Sequence, residues 1–146
     1  MIYLTMPMLS VMRAEADNRT DMRVLSLFDG ISCGQLSLQR LGVDVSRYYA
    51  SEIDEYAMSV TQKRFPKTMQ LGDVAKIGRG QSSEYVYLDN IDLLLGGSPC
   101  QSFSKSYSSK DGKGFDGSSK LFWEYVRILR EVKPRYFLLE NVIMKQ

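Results

Sequence analysis

Apolar residues in this chain gather into short runs of strand length, and longer stretches with helical periodicity lie between them. Residues 23–28, 47–51, 68–71 and 136–139, together with the apolar run that opens at Ile91 and ends in Gly96-Gly97, suit strands buried in a sheet. Residues 34–41, 54–65 and 120–132 suit helices; Gly42, Pro66 and Pro134 punctuate their ends. Strands alternating with helices predict an α/β domain with a mainly parallel sheet and helices on both faces. Residues 76–90 read as a connection with a short helix over 84–88. Residues 104–120, small, polar and basic with Gly112, Gly114 and Gly117, read as a long loop, the kind that commonly carries function.

In such sheets ligands gather beyond the carboxyl ends of the strands, so the residues that follow each run are the candidates for chemistry. Asp29-Gly30 turns the chain after the first strand, and a helix beginning near Gly34 directs its N-terminal amides toward that turn. Glu52 closes the second strand about 20 residues further on, where a carboxylate accepts hydrogen bonds from ribose hydroxyls; the plainer reading is a helix-capping carboxylate. Asp73 follows the third strand, with an ordinary turn aspartate as its bland alternative. After Gly96-Gly97, Pro99 stiffens the corner that carries Cys100, a place suited to a nucleophile. A lone cysteine after a strand would otherwise be read as incidental. Glu140 ends the last strand, so Cys100 and Glu140 are expected on one edge of one sheet.

Composition narrows this picture. The 146 residues suffice for one core, with 44% hydrophobic and 25% charged residues, as in a globular domain. A net charge of +2 gives no strong basic field, so composition alone does not argue for a nucleic-acid partner. The chain has no histidine, which removes histidine-based acids, bases and metal ligands, and Cys33 and Cys100 lack zinc-ligand spacing. No metal is expected, and the two thiols are read as reduced, in a cytosolic setting. Residues 1–21, interrupted by Pro7, resemble neither a signal peptide nor a membrane span and are expected to form a poorly ordered extension before a domain over 22–146.

Three spaced motifs give this pattern a family. Phe28-Asp29-Gly30-Ile31-Ser32-Cys33-Gly34, Ser98-Pro99-Cys100-Gln101 and Glu140-Asn141-Val142 resemble, in order and separation, the cofactor, nucleophile and carboxylate motifs of the DNA cytosine-5 methyltransferases. The wording of residues 25–31 and 96–100 is closest to the animal de novo enzymes, while Gln101 is the bacterial residue. The resemblance implies a Rossmann-like fold that binds S-adenosyl-L-methionine. Phe28, Asp29, Gly30, Ile31 and Gly34 would hold its methionine part, Glu52 its ribose and Ile53 its adenine ring. Asp73 and Val74 belong to an adenine-contacting motif, and Pro99 and Leu121 also border the cofactor.

The same resemblance implies that Cys100 adds to carbon 6 of a cytosine flipped out of DNA, that Glu140 engages ring nitrogen 3, and that Asn141 holds the Glu140 turn. Lys105, Lys110 and Lys113 of the long loop, a lid in the family, could meet phosphates or be merely solvated. Such enzymes continue beyond the third motif with an arginine-containing motif, a target-recognition region and a final helix. The chain is therefore expected to be the N-terminal part of a methyltransferase, incomplete alone and completed by a second chain or by further sequence. The alternatives are an inactive cofactor- or partner-binding fragment and a tRNA cytosine-5 methyltransferase. The expected location is the cytoplasm of a prokaryote or phage-infected cell, or the nucleus of a eukaryote, with no membrane association.

Overall fold

The computed structural model describes residues 20–78, 88, 90–98 and 119–140. Five parallel strands, β1 (Met22–Leu27), β2 (Val45–Ser51), β3 (Met69–Gln70), β4 (Leu93–Gly96) and β5 (Tyr136–Leu139), form one sheet in the order β3-β2-β1-β4-β5. Three helices connect them: α1 (Cys33–Arg40), α2 (Glu55–Arg64) and α3 (Ser119–Val132). A 3-10 turn over Val74–Lys76 follows β3. The chain builds outward from β1 to β3, then crosses back to place β4 on the other side of β1. Between β1 and β4 lies the topological switch point at which such sheets open a crevice.

Alternation along the strands explains why both faces are covered. Leu25 and Leu27 of β1, Tyr49 of β2 and Leu94 of β4 turn to one face and pack with Val74, Ile77, Tyr125 and Ile128. Val24, Tyr48, Ala50 and Leu95 turn to the other, where Leu38 of α1 joins them. The expected helices on both faces of a parallel sheet are present, α1 on one and α3 on the other. Along β5, Tyr136 and Leu138 are exposed, while Phe137 and Leu139 pack on the α3 side.

Element ends differ from expectation by one or two residues. Phe28 leaves β1 with a φ of 57°, in the left-handed region, so the strand stops at Leu27. β2 begins at Val45 because that residue pairs with Met22. Asp54 is the N-cap of α2 rather than its first residue, its carboxylate accepting from the amides of Tyr56 and Ala57. The 3-10 turn after Asp73 had no counterpart in the sequence reading. Residues 84–87 of the expected short helix, 104–118 of the expected 104–120 loop and 1–19 of the expected 1–21 extension lie outside the described residues; Leu88 is described and is not helical, and 119–120 already belong to α3.

Candidate active site at the carboxyl edge of the sheet

Register lines up the strand ends. Ser51 pairs with Leu27, Leu27 with Gly96, and Gly96 with Leu139, one row across four strands. The next residue on each strand is therefore Glu52, Phe28, Gly97 or Glu140, all on one edge. At the usual strand spacing, Glu52 and Glu140 stand roughly 14 Å apart along it. Gly72 and Asp73 extend the row past β3, tied in by a hydrogen bond from the Ser51 hydroxyl to the Gly72 carbonyl at 2.7 Å.

Glu52 organises the β2 end. Its Oε2 accepts from the Gly30 amide at 2.8 Å, and its Oε1 accepts from the amides of Ile53 and Asp54 at 2.8 and 2.9 Å. The carboxylate thus caps backbone amides ahead of α2, as the plainer reading expects, and also fastens the β1 turn to β2. Beside it Ile53 and Ile31 are 75% and 54% exposed, apolar surface set next to a carboxylate. Asp73 is exposed; its Oδ1 accepts from the Ala75 amide at 2.9 Å and caps the 3-10 turn.

The β1 turn is held from beneath. Asp29 accepts from the Tyr48 hydroxyl at 2.8 Å through Oδ1 and from the Ser32 hydroxyl through Oδ2. Its amide donates to the Ser51 carbonyl at 3.1 Å, and its own carbonyl accepts from the Ser32 amide at 3.1 Å. Burial, and then the charge of Asp29, push the Tyr48 phenol well above its ordinary value. Phe28 and Ser32 both have left-handed backbone, which costs a non-glycine residue on the order of 1 kcal/mol or more unless neighbours hold it. Gly34 supplies close packing here: a Cβ would meet Leu95 Cδ1 at 2.8 Å and the Tyr48 hydroxyl at 3.1 Å. A side chain here would require the end of Leu95 to shift as α1 settles on the sheet.

Across the switch point the means are different. Glu140, exposed at the end of β5, donates its amide to the Gly96 carbonyl at 2.9 Å, and its carboxylate lies over Gly97. A Cβ at Gly97 would stand 2.9 Å from Glu140 Oε2, so the glycine leaves room for the carboxylate. Phe28 and Leu121 are half-buried against the same core cluster. Pro99, Cys100 and Asn141 lie outside the described residues; Cys100 follows the described Gly97-Ser98 by two residues in the chain. Cys33 is exposed at the first position of α1.

A C-5 cytosine-specific DNA methylase model matches residues 22–144. The chain belongs to that family. Among curated relatives, it is 40% identical over 124 residues to the orphan methyltransferase M.Rho11sI of Bacillus phage rho11s, covering 83% of this chain and 23% of the relative. It is 33% identical over 123 residues to the type II methyltransferase M.NgoPII of Neisseria gonorrhoeae, covering 83% of this chain and 33% of the relative. A crystal structure of a DNA modification methyltransferase encoded within an E. coli prophage superposes with a TM-score of 0.61 at 28% identity, over 84% of this chain and 32% of that one. The chain spans about a quarter to a third of the length of these methyltransferases. Among the described residues no helix is long and apolar enough to cross a membrane.

Tyr48 is the site residue that the sequence reading missed. A signal was available: a tyrosine in a strand buried on both faces needs a partner for its hydroxyl, and the nearest polar candidates belong to the β1 turn.

Proposed function

We propose that the protein is the cofactor-binding and catalytic part of an enzyme that methylates carbon 5 of cytosine in DNA. The observation that carries this reading is the single row of strand ends, in which the β1 turn, Glu52, Gly97 and Glu140 share one edge in a chain of the methylase family.

S-adenosylmethionine fits the residues of the β1–β2 half. A carboxylate flanked by the exposed faces of Ile31 and Ile53 suits a nucleoside, with Glu52 accepting from ribose hydroxyls, Ile53 against the adenine ring and Asp73 receiving its amino group. Phe28, Gly30, Ile31 and Gly34 form or support the turn that receives the methionine part; Val74, Pro99 and Leu121 complete the apolar surroundings. When bound, this cofactor supplies a methyl group made electrophilic by its positive sulfur.

The chain's own residues prepare the base. The Cys100 thiolate adds to carbon 6 of the flipped cytosine, and that addition makes carbon 5 nucleophilic. Glu140 hydrogen-bonds or protonates ring nitrogen 3, offsetting the charge that builds up there; Asn141 steadies the turn that carries Glu140. After transfer, loss of the carbon-5 proton allows the thiolate to leave and the ring to regain aromaticity. DNA and, where needed, further polypeptide that recognises the target are the partners this chemistry requires.

Trapping tests the reading. The chain is joined to the C-terminal part of a related methylase and incubated with S-adenosylmethionine and DNA carrying 5-fluorocytosine. Fluorine at carbon 5 blocks the final elimination, so a stable protein–DNA adduct is expected for the wild type and for Cys33→Ser. None is expected for Cys100→Ser. An adduct that survives Cys100→Ser, or appears on tRNA in preference to DNA, would reject the reading.

A further inference from the structure

We propose that Tyr48 and Asp29 together are a positioning device for the cofactor turn, with Tyr48 acting through Asp29, and that the Asp29 side chain serves the turn from within rather than contacting the cofactor. The proposal rests on the cofactor reading above.

The polar groups of Asp29 are engaged inside the protein. Its amide meets Ser51, its carbonyl meets the Ser32 amide, one carboxylate oxygen receives the Tyr48 hydroxyl and the other the Ser32 hydroxyl. Ser32 shows what this arrangement demands. It is fully buried and stands at the N-cap of α1, yet its side chain makes no capping bond to the helix and is directed to Asp29 instead. A serine that forgoes its usual capping role, in left-handed backbone, needs another partner to hold it, and the carboxylate is that partner.

Tyr48 is the fixed end. It is buried on β2 in the cluster that Leu38 of α1 joins, and its hydroxyl lies 3.1 Å from where a Cβ at Gly34 would stand. Through Oδ1 of Asp29 it ties the turn to the neighbouring strand from below, while Glu52 ties Gly30 to the same strand's end from above. Thr61 of α2 adds a third tether, its hydroxyl donating to the Gly30 carbonyl at 3.3 Å. The turn is thus tethered by the protein's own groups, and order that the protein supplies is order that binding need not impose.

The test compares Tyr48→Phe, Asp29→Asn and their combination with Tyr125→Phe, a buried tyrosine on the opposite face. Calorimetric titration with S-adenosylmethionine should show affinity about tenfold weaker in Tyr48→Phe, the loss expected when a bond to a charged group is removed beneath a binding turn. The two single losses should not add in full in the double variant, because each weakens the Tyr48–Asp29 contact, while Asp29→Asn also disturbs the Ser32 bond. Tyr125→Phe should bind as the wild type does. Independently of ligand, the NMR signals of the Gly30 and Ile31 amides should move in Tyr48→Phe and stay in place in Tyr125→Phe. Affinity within twofold of wild type in Tyr48→Phe, an equal loss in Tyr125→Phe, or unmoved Gly30 and Ile31 amides would each overturn the proposal. If the wild type binds no S-adenosylmethionine, the cofactor reading falls, and the amide shifts still decide whether Tyr48 and Asp29 set the turn.

Discussion

Tyr48 and Tyr125 are both buried tyrosines beside the sheet, on opposite faces and on opposite sides of the switch point, and they hold their regions by different means. Tyr48 works through its hydroxyl, bonded to a carboxylate and thence to a turn. Tyr125 works through its ring, packed over Gly96 and against the strands, while its hydroxyl reaches the Leu138 carbonyl only at 3.3 Å. The β1–β2 region is positioned by directional bonds. The β4–β5 region is positioned by volume, with Gly96 and Gly97 leaving room for a ring and a carboxylate. In the function proposed above, the first region would hold the cofactor and the second would carry the groups that meet the base.

Truncating the Tyr125 ring should give the largest effect. Tyr125→Ala empties the centre of the α3-side core and is expected to cost about 3–5 kcal/mol, seen as a large fall in the midpoint of chemical denaturation. A change below about 1 kcal/mol would mean that α3 is not packed as described.

Removing only the hydroxyls should matter more at Tyr48 than at Tyr125. Tyr48→Phe withdraws a donor from a carboxylate and should cost about 1.5–3 kcal/mol, whereas Tyr125→Phe loses one neutral bond worth about 0.5–1.5 kcal/mol. Equal losses in the two variants would erase the distinction between a region held by bonds and one held by packing.

Alkaline titration sharpens the contrast further. Burial raises both phenols above their ordinary value of 10.0, and Asp29 adds to the rise at Tyr48 alone. Above pH 10 the unfolded chain releases these protons and the folded chain retains them, so stability should fall as pH rises, by at most about 1.4 kcal/mol per pH unit for each phenol. Denaturant midpoints measured between pH 8 and about pH 11 should fall less steeply in Tyr48→Phe than in wild type. Unchanged steepness would mean that Tyr48 is not buried beside a carboxylate.

Gly97→Ala should have the smallest effect on stability, within about 1 kcal/mol, because the atom in its way is the far end of a flexible glutamate. Its effect should appear in catalysis instead. Methyl transfer by the chain joined to the C-terminal part of a related methylase should drop while S-adenosylmethionine affinity holds. A parallel loss of affinity would show that the two regions are coupled rather than separately built.

Much of this arrangement was legible in the sequence because it depends on local pattern. Apolar runs of strand length marked all five strands, periodic stretches marked three helices, and the residue after each run marked the functional edge. Glu52 and Glu140 could be assigned to that edge without coordinates, and the three motifs identified the family. Element ends were less legible: Phe28 looks like a strand residue by composition, but its backbone has already turned. Tertiary structure alone decided which side chains meet. Tyr48 finds Asp29 across 19 residues, and Arg127 of α3 finds the Val74 carbonyl across 53, at 3.2 Å. Glu140 finds its room over Gly97 from the neighbouring strand. Periodicity tells a side chain which face to take; only strand order and register tell it which neighbour it will find there.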